Sequence, residues 1–222
     1  MILVLRGHIR NSFENKNLYD LVNQIYKNYN NLNIYIHTWN IFSNNISWTK
    51  RDANYTTVTQ QTIYDYFGEL SGLIKHIIIE DDKQIKLIGN LTGYVSKSPM
   101  PIIGWKNFLY SIYSILNYLY SSNIDKNELI LNTRFDILNN TNSFNTDIIL
   151  SFIQNNLVVS DLKKNIFLYN RAFWGCDNIY IGNIYTMHKL SYLMNYHLDD
   201  LIKKYPDVYH QEFLFFYGNE II

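Results

Sequence analysis

Two short apolar runs with one helical stripe between them open the chain, and that order constrains the fold more than anything after it. Ile2-Leu3-Val4-Leu5 is all β-forming and apolar, the pattern of a strand buried on both faces. Ile34-Tyr35-Ile36-His37-Thr38 repeats the pattern. Between them Leu18, Leu21, Val22, Ile25, Tyr26 and Tyr29 fall on one helical face, and Asn11 with Glu14 has the form of a capping box ahead of it. Strand, crossover helix and strand make a βαβ unit, and such units build parallel sheets.

The rest of the chain continues the alternation. Phe42 to Thr59 reads as a long polar loop and Val58 to Phe67 as a helix. Ile77-Ile78-Ile79 reads as a third strand ending in Glu80-Asp81-Asp82. Lys83 to Ile103 is irregular, and loops of that length often carry function. Trp105, Phe108, Leu109, Ile112, Tyr113, Leu116, Leu119 and Tyr120 mark an apolar helix, followed by the strand Leu129-Ile130-Leu131-Asn132-Thr133. Beyond it the pattern predicts a helix over Ile148 to Gln154 and strands at Leu157 to Ser160, Ile166 to Tyr169 and Ile179 to Gly182. One helix from Met187 to Ile202, ended by Pro206, and an aromatic helix opening at His210-Gln211-Glu212 close the chain. No repeat or linker divides it, so residues 1–222 read as a single α/β domain with a mostly parallel central sheet flanked by helices.

Composition removes several function classes. With 19 basic and 19 acidic residues there is no positive excess for a nucleic-acid backbone. The single cysteine, Cys176, forbids an internal disulfide and a cysteine-built zinc site, and no local signature makes it a nucleophile. Met1 to Leu5 runs into Arg6 without the form of a signal peptide. The longest apolar tract, Phe108 to Tyr120, is interrupted by Ser111, Ser114 and Asn117, so no transmembrane segment is expected. The expectation is a soluble cytoplasmic protein. G-x-G-x-x-G, the P-loop, the G-x-S-x-G elbow and paired H-x-x-x-H histidines are all missing from the text.

In open α/β sheets ligands bind outside the carboxyl ends of the strands. Those ends read Arg6-Gly7-His8-Ile9-Arg10, His37-Thr38-Trp39-Asn40, Glu80-Asp81-Asp82 and Thr133-Arg134-Phe135-Asp136. Gly7 permits a sharp turn or a close approach to a ligand. Arg134 and Asp136, two apart on an extended segment, share a face. They suit a phosphate and a divalent cation, or else each other as a structural pair. His8 and His37 fit a hydrogen-bonded structural histidine or a ligand contact.

Taken together, Arg6 to Arg10, Ile34 to Trp39, Thr133 to Asp136 and Gly175-Cys176-Asp177-Asn178-Ile179-Tyr180-Ile181-Gly182 resemble GT-A-type glycosyltransferases of polysaccharide and lipopolysaccharide synthesis, bacterial or viral. The resemblance implies a GT-A-like fold and transfer of a sugar from a nucleoside-diphosphate donor to a hydroxyl of a glycan acceptor; a viral member would work in the host cytoplasm. It implies that Arg6, Gly7, Arg10, His37, Trp39, Asp81 and Arg134 hold the donor. Asp136, with His210, would hold a divalent Mn or Mg ion. The family's Asp-x-Asp motif has Arg134 in its first position here, so a guanidinium in place of the metal's charge is the alternative. Asp177 is the first candidate for the base that takes the acceptor's proton, and Glu212 the second. The rival reading is a non-catalytic carbohydrate- or nucleotide-binding module of the same fold.

Overall fold

A computed structural model describes residues 1–46, 53–139, 144–157, 162–169 and 174–222. The opening βαβ unit is present: β1 (Ile2–Arg6), α1 (Asn17–Asn28) and β2 (Asn33–Trp39). A short antiparallel pair follows, β3 (Ile41–Ser43) and β4 (Asn54–Thr57), then α2 (Gln60–Phe67) and β5 (Ile74–Glu80). Next come α3 (Ile102–Ser121), β6 (Leu129–Arg134), α4 (Thr146–Asn156), β7 (Ile166–Phe167) and β8 (Ile179–Asn183). Three helices end the chain: α5 (Ile184–Tyr196), α6 (Leu198–Lys204) and α7 (Gln211–Ile221).

The central sheet has six strands in the order β5-β2-β1-β6-β8-β7. β1, β2, β5 and β6 are parallel, and β8 runs antiparallel to both of its neighbours. From β1 the chain steps outward to β2 and β5, and α3 then carries it back past β1 to β6. The strand order therefore reverses between β1 and β6, the point at which such sheets open a crevice. Register aligns that crevice, because Arg6 stands beside His37 on one side and Arg134 on the other.

Alternation along the strands feeds two core layers. Leu3, Leu5, Ile34, Ile36 and Leu131 pack with α1, α2 and α4 through Leu18, Ile63 and Ile149. On the other face Ile2, Val4 and Ile130 meet Leu109 of α3, Met187 of α5, Leu198 of α6 and Leu214 of α7. No described helix is long and apolar enough to cross a membrane.

Four sequence expectations are corrected. Asn11 and Glu14 form no capping box: the Asn11 side chain accepts from Asn139 Nδ2 at 2.5 Å, and α1 starts later, where Asn15 Oδ1 receives the Asn17 N–H at 2.9 Å. Among the described residues of 42–59, where loop was expected, two short strands pair, Ile41 with Thr57 and Ser43 with Asn54. The stripe from Met187 to Ile202 is two helices broken at His197; the bend keeps Leu198 and Leu201 buried while Asp199 reaches Lys106 Nζ at 2.7 Å. Leu157 caps α4 rather than opening a strand, and the rest of that expected strand lies outside the described residues.

Candidate functional site

A cavity of about 560 Å³ opens at the carboxyl ends of β1 and β6. One wall is basic. Arg6 ends β1 fully buried, and its Nε donates to Asn132 Oδ1 at 2.7 Å. Its Nη2 donates to the backbone carbonyl of Asp177, and its guanidinium lies 4.6 Å from the centre of the Phe108 ring. Nη1 of Arg6 has no hydrogen-bond partner among the described residues. Burial lowers the Arg6 pKa to about 10, which leaves it charged at neutral pH.

The turn after β1 brings Arg10 to the same wall. Gly7 takes a left-handed φ of 87° that an L side chain would strain, and its N–H is held by the His37 carbonyl at 3.1 Å. Arg10 itself has φ 55°, with its N–H on the Phe42 carbonyl at 2.8 Å. Its Nη1 donates to Asp136 Oδ2 at 2.6 Å. Arg134 grips the same carboxylate in a fork, Nε to Oδ1 and Nη2 to Oδ2, both at 2.7 Å. Its Nη1 donates to Asn178 Oδ1 at 2.8 Å. Burial presses the Arg134 pKa down, but Asp136, with Asp177 and Glu212, more than offsets this and raises it. The i, i+2 pair is real, and the structure adds Arg10 to it from 126 residues away.

Beside the arginines two carboxylates line the cavity. A turn at Gly175 delivers Asp177; Gly175 has φ 81°, and a Cβ there would meet the Phe144 ring at 3.0 Å. The first turn of α7 delivers Glu212. Cys176 Sγ donates to the Glu212 carbonyl at 3.2 Å and ties the two segments together. Burial, which also pushes the Cys176 thiol up, makes that group an inert strap. Asp177 is 6% exposed, and its Oδ1 is buried without a partner among the described residues, as is Oε2 of Glu212. Burial raises the Asp177 pKa against the pull of Arg134 and Arg6. Burial, then the neighbouring Asp177 charge, raises Glu212 to about 7.

The cavity gathers Arg6, Gly7, Arg10, Trp39, Arg134, Asp136, Asp177, His210 and Glu212, all of them expected from the sequence. It does not include His37 or Asp81. His37 is fully buried and its Nε2–H donates to Glu80 Oε2 at 2.9 Å, while Tyr110 and Ser114 complete the carboxylate's partners. Asp81 Oδ1 accepts the Lys83 N–H at 2.9 Å in a local turn. Among the two strand-end histidines, His8 is the one that reaches the cavity; burial lowers its pKa to about 4, so it is neutral there.

The donor set at Asp136 does not suit a resident cation. Both oxygens already accept from guanidinium groups, and the His210 ring packs edge-on against Trp174 at 5.0 Å. Among the described residues no group of three or more His, Cys, Asp or Glu is arranged to hold a metal. Asn107, Trp105, Phe108 and Asn178 also line the cavity. Trp105 and Phe108 carry the signal of a core-facing helical stripe in the sequence, which hides a second role. Comparison of the chain with protein-family models, curated proteins and solved structures gives no match.

Proposed function

We propose that the chain is a glycosyltransferase of GT-A type, transferring a sugar from a nucleoside-diphosphate donor to a hydroxyl of a glycan acceptor. One observation carries this reading: a buried guanidinium group, two further arginines and two carboxylates with unpartnered oxygens line one cavity at the switch point of the sheet. Transfer requires both. As the anomeric carbon–oxygen bond breaks, its electron pair goes to the departing diphosphate, and fixed cations stabilise that charge. As the acceptor oxygen bonds to the anomeric carbon, its proton goes to a carboxylate.

Arg6, Arg10 and Arg134 supply the cationic side. Arg6 is the best prepared, with a charged Nη1 that has no protein partner among the described residues. Arg134 and Asp136 make a rigid fork that keeps the wall in shape without a cation. His8, backed by the buried Trp39 ring at 5.9 Å between centres, offers the donor's base an aromatic contact beside the phosphates. Asp177 and Glu212 supply the base as a pair. Glu212, raised to about 7, is matched to proton transfer near neutral pH, and Asp177 is the partner whose charge helps to raise it. No step in this scheme passes through a metal.

The second reading, a non-catalytic binding module, draws on Asp136, whose oxygens are engaged by arginines where the resembled family keeps open carboxylates. A sugar-nucleotide hydrolysis screen with Mn²⁺ and with chelator separates the two. The expected outcome is slow donor hydrolysis that survives chelation. Binding of nucleotide sugars with no turnover, with or without acceptor glycans, would leave the binding module.

A further inference from the structure

The unpartnered polar atoms of the cavity extend past the arginines and the carboxylates. On the first two turns of α3, Trp105 is 1% exposed and Asn107 is 7% exposed, and both line the cavity. Trp105 Nε1, a donor, and Asn107 Oδ1, an acceptor, are buried with no hydrogen-bond partner among the described residues. A buried donor and a buried acceptor left open two residues apart cost stability, and native proteins leave such atoms where a ligand satisfies them. Their position is defined by Phe108, one helical turn beyond Trp105. Its ring lies under both the Arg6 and the Arg134 guanidinium groups, at 4.6 and 5.9 Å. Anything bonded to an anion held by those arginines therefore lies beside this end of α3.

We infer that Trp105 and Asn107 form a sugar-reading subsite, Trp105 Nε1 donating to one hydroxyl of the donor's sugar and Asn107 Oδ1 accepting from another. The inference rests on the glycosyltransferase reading for the identity of the ligand. The chemistry favours a neutral polyol over a second phosphate, because neither side chain is charged and the Asn107 amide has both an N–H donor and a C=O acceptor that match hydroxyls. Gly104 fits this role: a Cβ there would meet the Ile46 carbonyl at 3.0 Å, so glycine lets that segment close over the start of α3.

The test measures binding, not turnover. Wild type, Trp105→Phe (ring kept, N–H removed) and Asn107→Leu (similar size, acceptor removed) are titrated with uridine, guanosine and thymidine diphosphates and with their hexose esters, thermal unfolding reporting the fold. The expected result is that the gain in affinity contributed by the sugar falls about 5- to 10-fold in each variant, while the plain diphosphate binds as before. A deoxy-hexose donor lacking the recognised hydroxyl should bind wild type as weakly as the complete donor binds the variant, a check that needs no substitution. If hexose esters bind and neither the variants nor the deoxy donors differ from the reference, the subsite is overturned and the transferase reading stands. If no nucleotide binds, that reading falls, and saturation-transfer NMR with free hexoses decides the subsite. A hexose signal that wild type gives and Trp105→Phe does not would uphold it, and no hexose signal from wild type would overturn it.

Discussion

The two walls of the cavity differ in how their charges are satisfied. On the β1–β6 wall Asp136 accepts from Arg10 and Arg134, and Arg6 is held by Asn132 and the Asp177 carbonyl, its Nη1 alone among the three guanidinium groups being buried without a partner among the described residues. On the β8–α7 wall Asp177 and Glu212 each keep a buried oxygen with no partner among the described residues, and both carboxyl groups are pushed up by burial. A satisfied network is rigid and holds a shape. An unsatisfied carboxylate is kept at a cost in stability and is poised to take a proton. The basic wall is thus suited to positioning and the acidic wall to chemistry, and substitutions on the two should fail in different ways.

The largest effect belongs to the acidic wall. Asp177→Asn or Glu212→Gln should slow sugar transfer by roughly 10²–10⁴-fold while nucleoside diphosphate affinity persists. If the pair works as a unit, the double variant is hardly worse than either single one, which steady-state kinetics can decide. The pH profile gives the sign. A base must be deprotonated to act, and with Glu212 at about 7 the wild-type rate rises as pH increases through that value. Glu212→Gln should remove that limb. A variant pair with normal transfer would put the proton elsewhere and end the contrast between the walls.

Next in size is the anion seat. Arg6→Lys keeps the charge but loses the fork, and should weaken nucleoside diphosphate binding roughly 10- to 100-fold by calorimetry. Arg10→Ala should cost less, because part of Arg10 is engaged by Asp136 and Arg134 still grips that carboxylate. Equal losses would mean that the arginines act as an undifferentiated patch. Unchanged affinity in both would remove the donor from this wall.

The smallest effect separates shape from chemistry on the basic wall itself. Asp136→Asn leaves two partly exposed guanidinium groups without their shared anion, at an expected cost of about 1–2 kcal/mol in unfolding free energy by denaturant titration. In combination with Arg10→Ala the loss should be less than the sum, since one interaction is removed twice. A fully additive result would show that the Arg10–Asp136 contact contributes nothing to stability.

The layered α/β architecture was legible in the residues, because hydrophobic periodicity is local: four apolar runs and their helical stripes reappear as β1, β2, β5, β6 and the helices that cover them. The sequence placed Arg134 and Asp136 within reach of each other and left open whether they pair or hold a ligand; the structure shows the pair. The tertiary structure alone decided which rim residues meet. His37 and Asp81 looked equivalent to Arg6 and Trp39 in the text, yet Glu80 claims His37 and a local turn claims Asp81. Asp177 and Glu212 are 35 positions apart, and their union depends on a cysteine strap and a glycine with positive φ, which leave no periodic trace. Trp105 sits in a stripe that any core-facing helix would show and Asn107 lies off it, and no local pattern marks where a helix lines a cavity. Periodicity records which face of an element is buried, but whether that face meets core, ligand or charge is set by partners far along the chain.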